Sequence, residues 1–460
     1  MSGTMAEQSI PQGHELLVQL ENIFESDPLI DEVGFVPPAQ IVELNEKADG
    51  LDHVTTHFWS KDHKLAISME VLKPLLQAAK DAFTVACREY KEFANLPVDE
   101  ICLDSPASES FTENEVMKHS KALLLLSCDF RSAWNSRKLV ASRRKSLSLY
   151  MEELLLSKLI LSYAPKSEEA WSYRRWVIKM IDGTFPNMQD ILKNESKLVE
   201  GIAEKLKMNY RAWYHRCWLV SYMTAQQVFD EFNQSRKWAE LHVADNCCFH
   251  YRRRLMLRML EDYLLQQTEA CFLYSSDLSV MWNEELYWNE LLIKRFIGRE
   301  ALWVHRRFLA QCWIKHFVSL SSDTPLDGFL DHELELIRTC MHVGGDDFGD
   351  NEVHADLASA YILWISPQVT TDRGAAFLAK LKKSGDVNIL AKSCPGKKLL
   401  LEDLVGNQSL MPRPIFPSVK TPLLALIPSS PSLWVSIFPS LRTAAILLLP
   451  RRTSATAYLR

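Results

Sequence analysis

The stretch Asn209-Tyr210-Arg211-Ala212-Trp213-Tyr214-His215-Arg216-Cys217-Trp218 decides the fold reading, because its pattern recurs along the chain. It is preceded by Phe130-Arg131-Ser132-Ala133-Trp134-Asn135-Ser136-Arg137 and by Pro165-Lys166-Ser167-Glu168-Glu169-Ala170-Trp171-Ser172-Tyr173-Arg174. It is followed by Cys248-Phe249-His250-Tyr251-Arg252, with Phe249 in the Trp position, and by Glu300-Ala301-Leu302-Trp303-Val304-His305-Arg306. The aromatic-to-aromatic steps are 37, 42, 36 and 54 residues, which describes a repeat array with one insertion. Trp and Arg three apart share a helical face, giving the pairs Trp134/Arg137, Trp171/Arg174, Trp213/Arg216, Phe249/Arg252 and Trp303/Arg306. The indole is expected to cover the arginine stem while the guanidinium reaches an acid or a carbonyl on the next repeat.

Each motif helix follows another amphipathic stretch, at 113–126, 147–162, 191–206 and 229–244. Pro165 falls where one helix stops and the next begins. The expected fold is all-α: a right-handed, α–α superhelical solenoid of stacked antiparallel helix pairs. The repeats proper occupy 113–320, with a degenerate helical pair inside 321–390. Residues 1–112 read as an N-terminal helical flank, with a helix at 14–24, a loop at Pro37-Pro38 and a long helical stretch over 64–93. Residues 391–460 hold nine prolines among Ser, Leu and Ile, and read as a disordered tail or a variant C-terminus.

Composition narrows the functional classes. The 460 residues carry 47% hydrophobic side chains, enough for a large core, and only 15 Gly, which argues against β-rich or phosphate-loop architectures. The net charge is −6, and the six cations after Asp403 are unopposed, so residues 1–403 carry −12. An acidic body of this kind gives no support to nucleic-acid binding, and Arg143-Arg144-Lys145 and Arg252-Arg253-Arg254 read as solvated faces or salt bridges. The ten cysteines form no C-x-x-C pair, and with no secretory leader they read as reduced thiols of a cytoplasmic protein. No apolar run before residue 400 is long enough to span a bilayer. His215, His250 and His305 sit in separate repeats, so no metal ligand set is expected from this chain.

The five units resemble the repeats of protein prenyltransferase α subunits, whose type sequence is Pro-x-Asn-Tyr-x-x-Trp-x-x-Arg-Arg. The resemblance implies a noncatalytic, scaffolding α-type subunit, inactive alone, of a heterodimeric enzyme that attaches farnesyl or geranylgeranyl to protein cysteines. It places zinc and the isoprenoid diphosphate on a β partner, with no cofactor bound by this chain. The implied partners are a prenyltransferase β subunit, the Rab-type geranylgeranyltransferase β above all, and a protein substrate with a C-terminal cysteine. It also implies diphosphate contacts at Lys166, which follows the second-repeat proline, and at Tyr210 and Arg211, where the family carries Tyr-His. Ser167-Glu168 departs from the family's Asn-Tyr, and Glu168 would repel a diphosphate. The alternative is a helical-repeat interaction adaptor, similar to tetratricopeptide scaffolds, with no part in prenylation. Such a scaffold has a strict period of about 34 residues.

Overall fold

The computed structural model describes residues 12–46, 57–94, 105–185, 188–265, 278–317, 326–341, 350–369 and 371–406. The described residues fall into two compact units, Met1–Met223 and Thr224–Arg460. Both are built from helix pairs, and the fold class is an α–α solenoid.

In the first unit, α1 (Gly13–Ser26) and α2 (Pro38–Glu46) flank a short sheet. Strands β1 (Glu32–Val36), β2 (Phe58–Lys61) and β3 (Lys64–Ser68) lie in the order β1-β3-β2, with β1 parallel and β2 antiparallel to β3. Helices α3 (Leu72–Ala94) and α4 (Ser105–Leu126) pack together, and five further α-helices follow in the unit. These are α5 (Arg131–Arg144), α6 (Leu147–Tyr163), α7 (Glu168–Asp182), α8 (Met188–Lys205) and α9 (Tyr210–Leu219), paired as α4–α5, α6–α7 and α8–α9.

The sheet corrects the expectation of a purely helical flank and of a helix starting at 64. Asp62 and His63, at φ 51° and 61°, form a two-residue turn that matches the twist of a hairpin, and Leu65, Ile67 and Phe58 are buried beneath it. The Pro37-Pro38 loop is also shorter than expected, because Pro38 opens α2, where its missing N–H costs nothing.

The second unit pairs α10 (Ala225–Leu241) with α11 (Asn246–Leu265), α12 (Leu278–Arg295) with α13 (Glu300–Cys312), and α14 (Leu326–Met341) with α15 (Asp350–Ile365). Beyond these come α16 (Thr371–Ser384), α17 (Asp386–Ser393) and α18 (Lys398–Gly406). Helical structure therefore continues past 391, against the expectation that the proline-bearing end cannot sustain it. Pro395 opens a 3-10 turn rather than interrupting a helix, and Leu401 of α18 is fully buried. Residues 407–460, which hold the rest of the expected tail, lie outside the described residues. Among the described residues, no helix is long and apolar enough to cross a membrane.

Candidate functional site

The motif residues build a recurring clasp between successive helix pairs. Trp134, Trp171, Trp213, Phe249 and Trp303 are all buried, as are Arg137, Arg174, Arg216, Arg252 and Arg306. Arg174 of α7 makes a two-pronged bond to Glu195 of α8, Nε to Oε2 at 2.6 Å and Nη2 to Oε1 at 2.5 Å. Its third nitrogen, Nη1, turns back to its own first helix, donating to the Leu154 carbonyl at 2.6 Å and to Ser157 at 2.8 Å. Arg137 does the same with Glu153, Met117 and Ser120, and Arg252 with Glu285, Phe232 and Ser235. Arg306 binds Glu333 and the Leu286 carbonyl. The acid thus comes from the next repeat, as expected of the guanidinium, whereas the carbonyl comes from the arginine's own repeat. Arg216 also bonds Glu200 of its own first helix at 2.7 Å.

A third member completes these clasps: the residue two after the motif position, which is aromatic for Tyr173, His215 and His305 and is Ser359 for Tyr361. Tyr173 donates to Glu153 at 2.5 Å, His215 to Glu195 at 2.9 Å, His305 to Glu285 at 2.9 Å, and Tyr361 to Glu333 at 2.6 Å. The same ring packs on the aromatic of the preceding repeat. Centroids lie 4.5 Å apart for Trp134/Tyr173, 4.9 Å for Trp171/His215 and 5.3 Å for Phe249/His305.

Burial alone would raise the carboxyls, but Arg174 with His215 holds Glu195 down at about 2, and Arg252 with His305 does the same for Glu285. Burial, with help from the nearby arginines, depresses His305 to about 4 despite Glu285. In these two clasps the carboxylate stays charged beside its arginine, while burial holds the His215 and His305 rings toward the neutral form.

These glutamates escaped the sequence reading, although a signal was present. Glu153, Glu195, Glu231 and Glu285 each stand 18 residues before the motif aromatic, and Val116 holds that place before Trp134, where no preceding motif arginine exists.

The expected diphosphate contacts gather at the starts of α7 and α9. Ser167 caps α7 by accepting from the Ala170 N–H at 3.3 Å, and Asn209 caps α9 by accepting from Ala212 at 3.4 Å. Asn209 also donates to the Pro165 carbonyl at 2.9 Å, which ties the two helix starts together. Arg211 bonds the Lys166 carbonyl, so two of the three residues are in contact. Tyr210 is 42% exposed and stacks on Tyr214 at 6.2 Å. The Lys166 side chain is exposed and in no ion pair among the described residues, whereas Glu168 lies 3.5 Å from Arg211 and 2.9 Å from Arg175. Glu168 thus acts as a counter-ion for Arg211, and an arriving anion has to displace it. Among the described residues, no group of His, Cys, Asp or Glu is arranged to hold a metal ion.

Stacked pairs joined by an aromatic, an arginine and a glutamate define the class of α–α solenoids, and two of the pairs match a known repeat. The pattern described as "Protein prenyltransferase alpha subunit repeat" matches residues 150–181 and 192–223, which cover most of α6–α7 and α8–α9. The particular likeness is to Protein prenyltransferase alpha subunit repeat-containing protein 1. The Homo sapiens protein is 26% identical over 356 residues, spanning 68% of this chain and 81% of that protein. The Danio rerio protein is 27% identical over 347 residues, spanning 66% and 74%. A more distant relative, the Geranylgeranyl transferase type-2 subunit alpha of Dictyostelium discoideum, is 31% identical over 117 residues, 25% of this chain and 38% of that protein.

Proposed function

We propose that this chain is the α-type, scaffolding subunit of a cytoplasmic heterodimeric protein prenyltransferase. The observation that carries the reading is the clasped repeat itself, conjoined with likeness to a geranylgeranyl transferase α subunit. Its partner in this reading is a prenyltransferase β subunit, with the Rab-type geranylgeranyltransferase β favoured because the distant relatives are type-2 α subunits. Zinc and the isoprenoid diphosphate belong to that partner, where the metal would activate the thiol of a C-terminal cysteine on the protein substrate.

In this reading the chain's own contribution to chemistry is the edge formed by Lys166, Tyr210 and Arg211. A cation at the leaving diphosphate stabilises charge that builds up in the transition state. Lys166 is the freer group, and Arg211 has to exchange Glu168 for the phosphate oxygens. The test uses the assembled heterodimer and single-turnover transfer of geranylgeranyl to a protein ending in cysteine. Lys166→Ala is expected to slow transfer without reducing heterodimer yield, by up to about 2 kcal/mol because the lysine is solvated. Arg211→Ala is expected to act in the same direction and more weakly. Unchanged rates in both variants would remove the diphosphate role and leave a pure scaffold. The chain alone is expected to transfer nothing.

A further inference from the structure

Two grooves run between successive first helices, one in each unit, and they correspond position by position. The groove between α6 and α8 encloses about 570 Å³, and the one between α10 and α12 only about 100 Å³. Registered on the clasp glutamates, Leu198 stands where the second unit has Trp288, Lys158 where it has Arg236, and Ser162 where it has Glu240.

In the second unit Trp288 occupies this place between the helices. Its indole N–H donates to Glu240 at 2.7 Å, and the guanidinium groups of Arg236 and Arg252 lie 5.0 and 4.8 Å from its ring. In the first unit no side chain of the described residues takes that place. Leu198 is short, and Lys158 is drawn away to Asp31 at 2.9 Å. Gly201 lies in the wall of the groove, and a Cβ added to it would meet no atom within 4 Å. A glycine inside a helix costs about 1 kcal/mol against alanine. Here no close packing calls for it, and its effect is to keep the groove open.

Charge adds to shape. Asp31 and Glu32 engage Lys158 and Lys205, at 2.9 and 3.8 Å. Lys197, exposed and lining the same groove, has no carboxylate within ion-pair reach among the described residues. Lys197 therefore leaves one positive charge at the rim of an apolar slot whose other lysines are paired.

We infer that the α6–α8 groove receives an aromatic side chain, an indole above all, from an acidic segment of a protein partner. The incoming ring takes the place that Trp288 fills in the second unit. Lys158 and Arg174 correspond to the cations over Trp288, the Ser162 hydroxyl accepts the indole N–H, and a neighbouring carboxylate pairs with Lys197. An aromatic anchor seated in a preformed pocket is the usual centre of a protein interface.

The probe is N-acetyl-L-tryptophan, an indole bearing one carboxylate, titrated into the full chain by ligand-observed NMR. Saturable binding is expected, with N-acetyl-tryptophanamide weaker by about threefold for loss of the exposed Lys197 pair. N-acetyl-leucine and decanoate should not displace it. Leu198→Trp, which supplies the chain's own indole, and Gly201→Leu, which fills the open wall, should each abolish binding while the thermal midpoint stays near that of the parent. A variant that fails to fold is set aside, and the other decides. Absence of saturable binding, or binding unchanged in the folded variant, would overturn the inference. So would displacement by decanoate, which would assign the groove to aliphatic chains.

Discussion

At the scale of single residues, the clasp explains why buried charges are tolerated in this core. A buried ion pair is weak evidence for stability, but breaking one partner leaves an uncompensated charge. Glu195→Leu should therefore destabilise the first unit by about 3–5 kcal/mol, read as a fall in the urea midpoint followed by Trp fluorescence. Adding Arg174→Met should recover much of that loss, since two apolar groups then replace the pair; a purely additive double variant would contradict the clasp. A second outcome concerns pH. His305 is depressed from 6.5 to about 4, so the unfolded chain takes up a proton before the folded one does. Stability is therefore full above pH 6.5 and falls through the window down to pH 4, by roughly 3 kcal/mol at about 1.4 kcal/mol per unit. Equilibrium urea unfolding from pH 7 to 4.5 should show this slope in the second unit, and His305→Gln should reduce it, leaving the part due to His250, which burial depresses to about 3. An equal slope in the variant would place the titration elsewhere.

At the scale of elements, the helix pairs were legible because Trp-x-x-Arg recurs at a near-constant step and Pro165 and Asn209 mark helix starts. The expected first helices 147–162 and 191–206 correspond to α6 and α8 within a few residues. The sheet was not legible. Its strands are four or five residues long, and their hairpin turns on Asp62-His63 rather than on a glycine pair. The glutamates of the clasp were missed because their partners are on other helices, which local periodicity does not reveal. Helix α18 is not legible in the sequence because Pro395 looks like a helix breaker, although proline starts a helical turn without loss. Stopping the chain at Cys394 should lower the thermal midpoint of the second unit below that of a chain stopped at Gly406, because it exposes the buried surface around Leu401. Equal midpoints would mean that α18 adds nothing. Trp213→Ala should cost roughly 3–5 kcal/mol and loosen α7 and α8 along with α9, since each pair leans on its neighbours. Hydrogen exchange confined to α9 would contradict that coupling.

At the scale of the whole molecule, the account rests on assembly with a β subunit. The repeats give each unit locked helix pairs, and the proposed function leaves the chemistry of prenyl transfer to the partner. Size-exclusion chromatography with intact-complex mass spectrometry, after co-expression with each prenyltransferase β subunit, tests this most directly. A stable one-to-one complex with one of them is expected, the Rab-type geranylgeranyltransferase β foremost. Elution of this chain apart from every β subunit would contradict it.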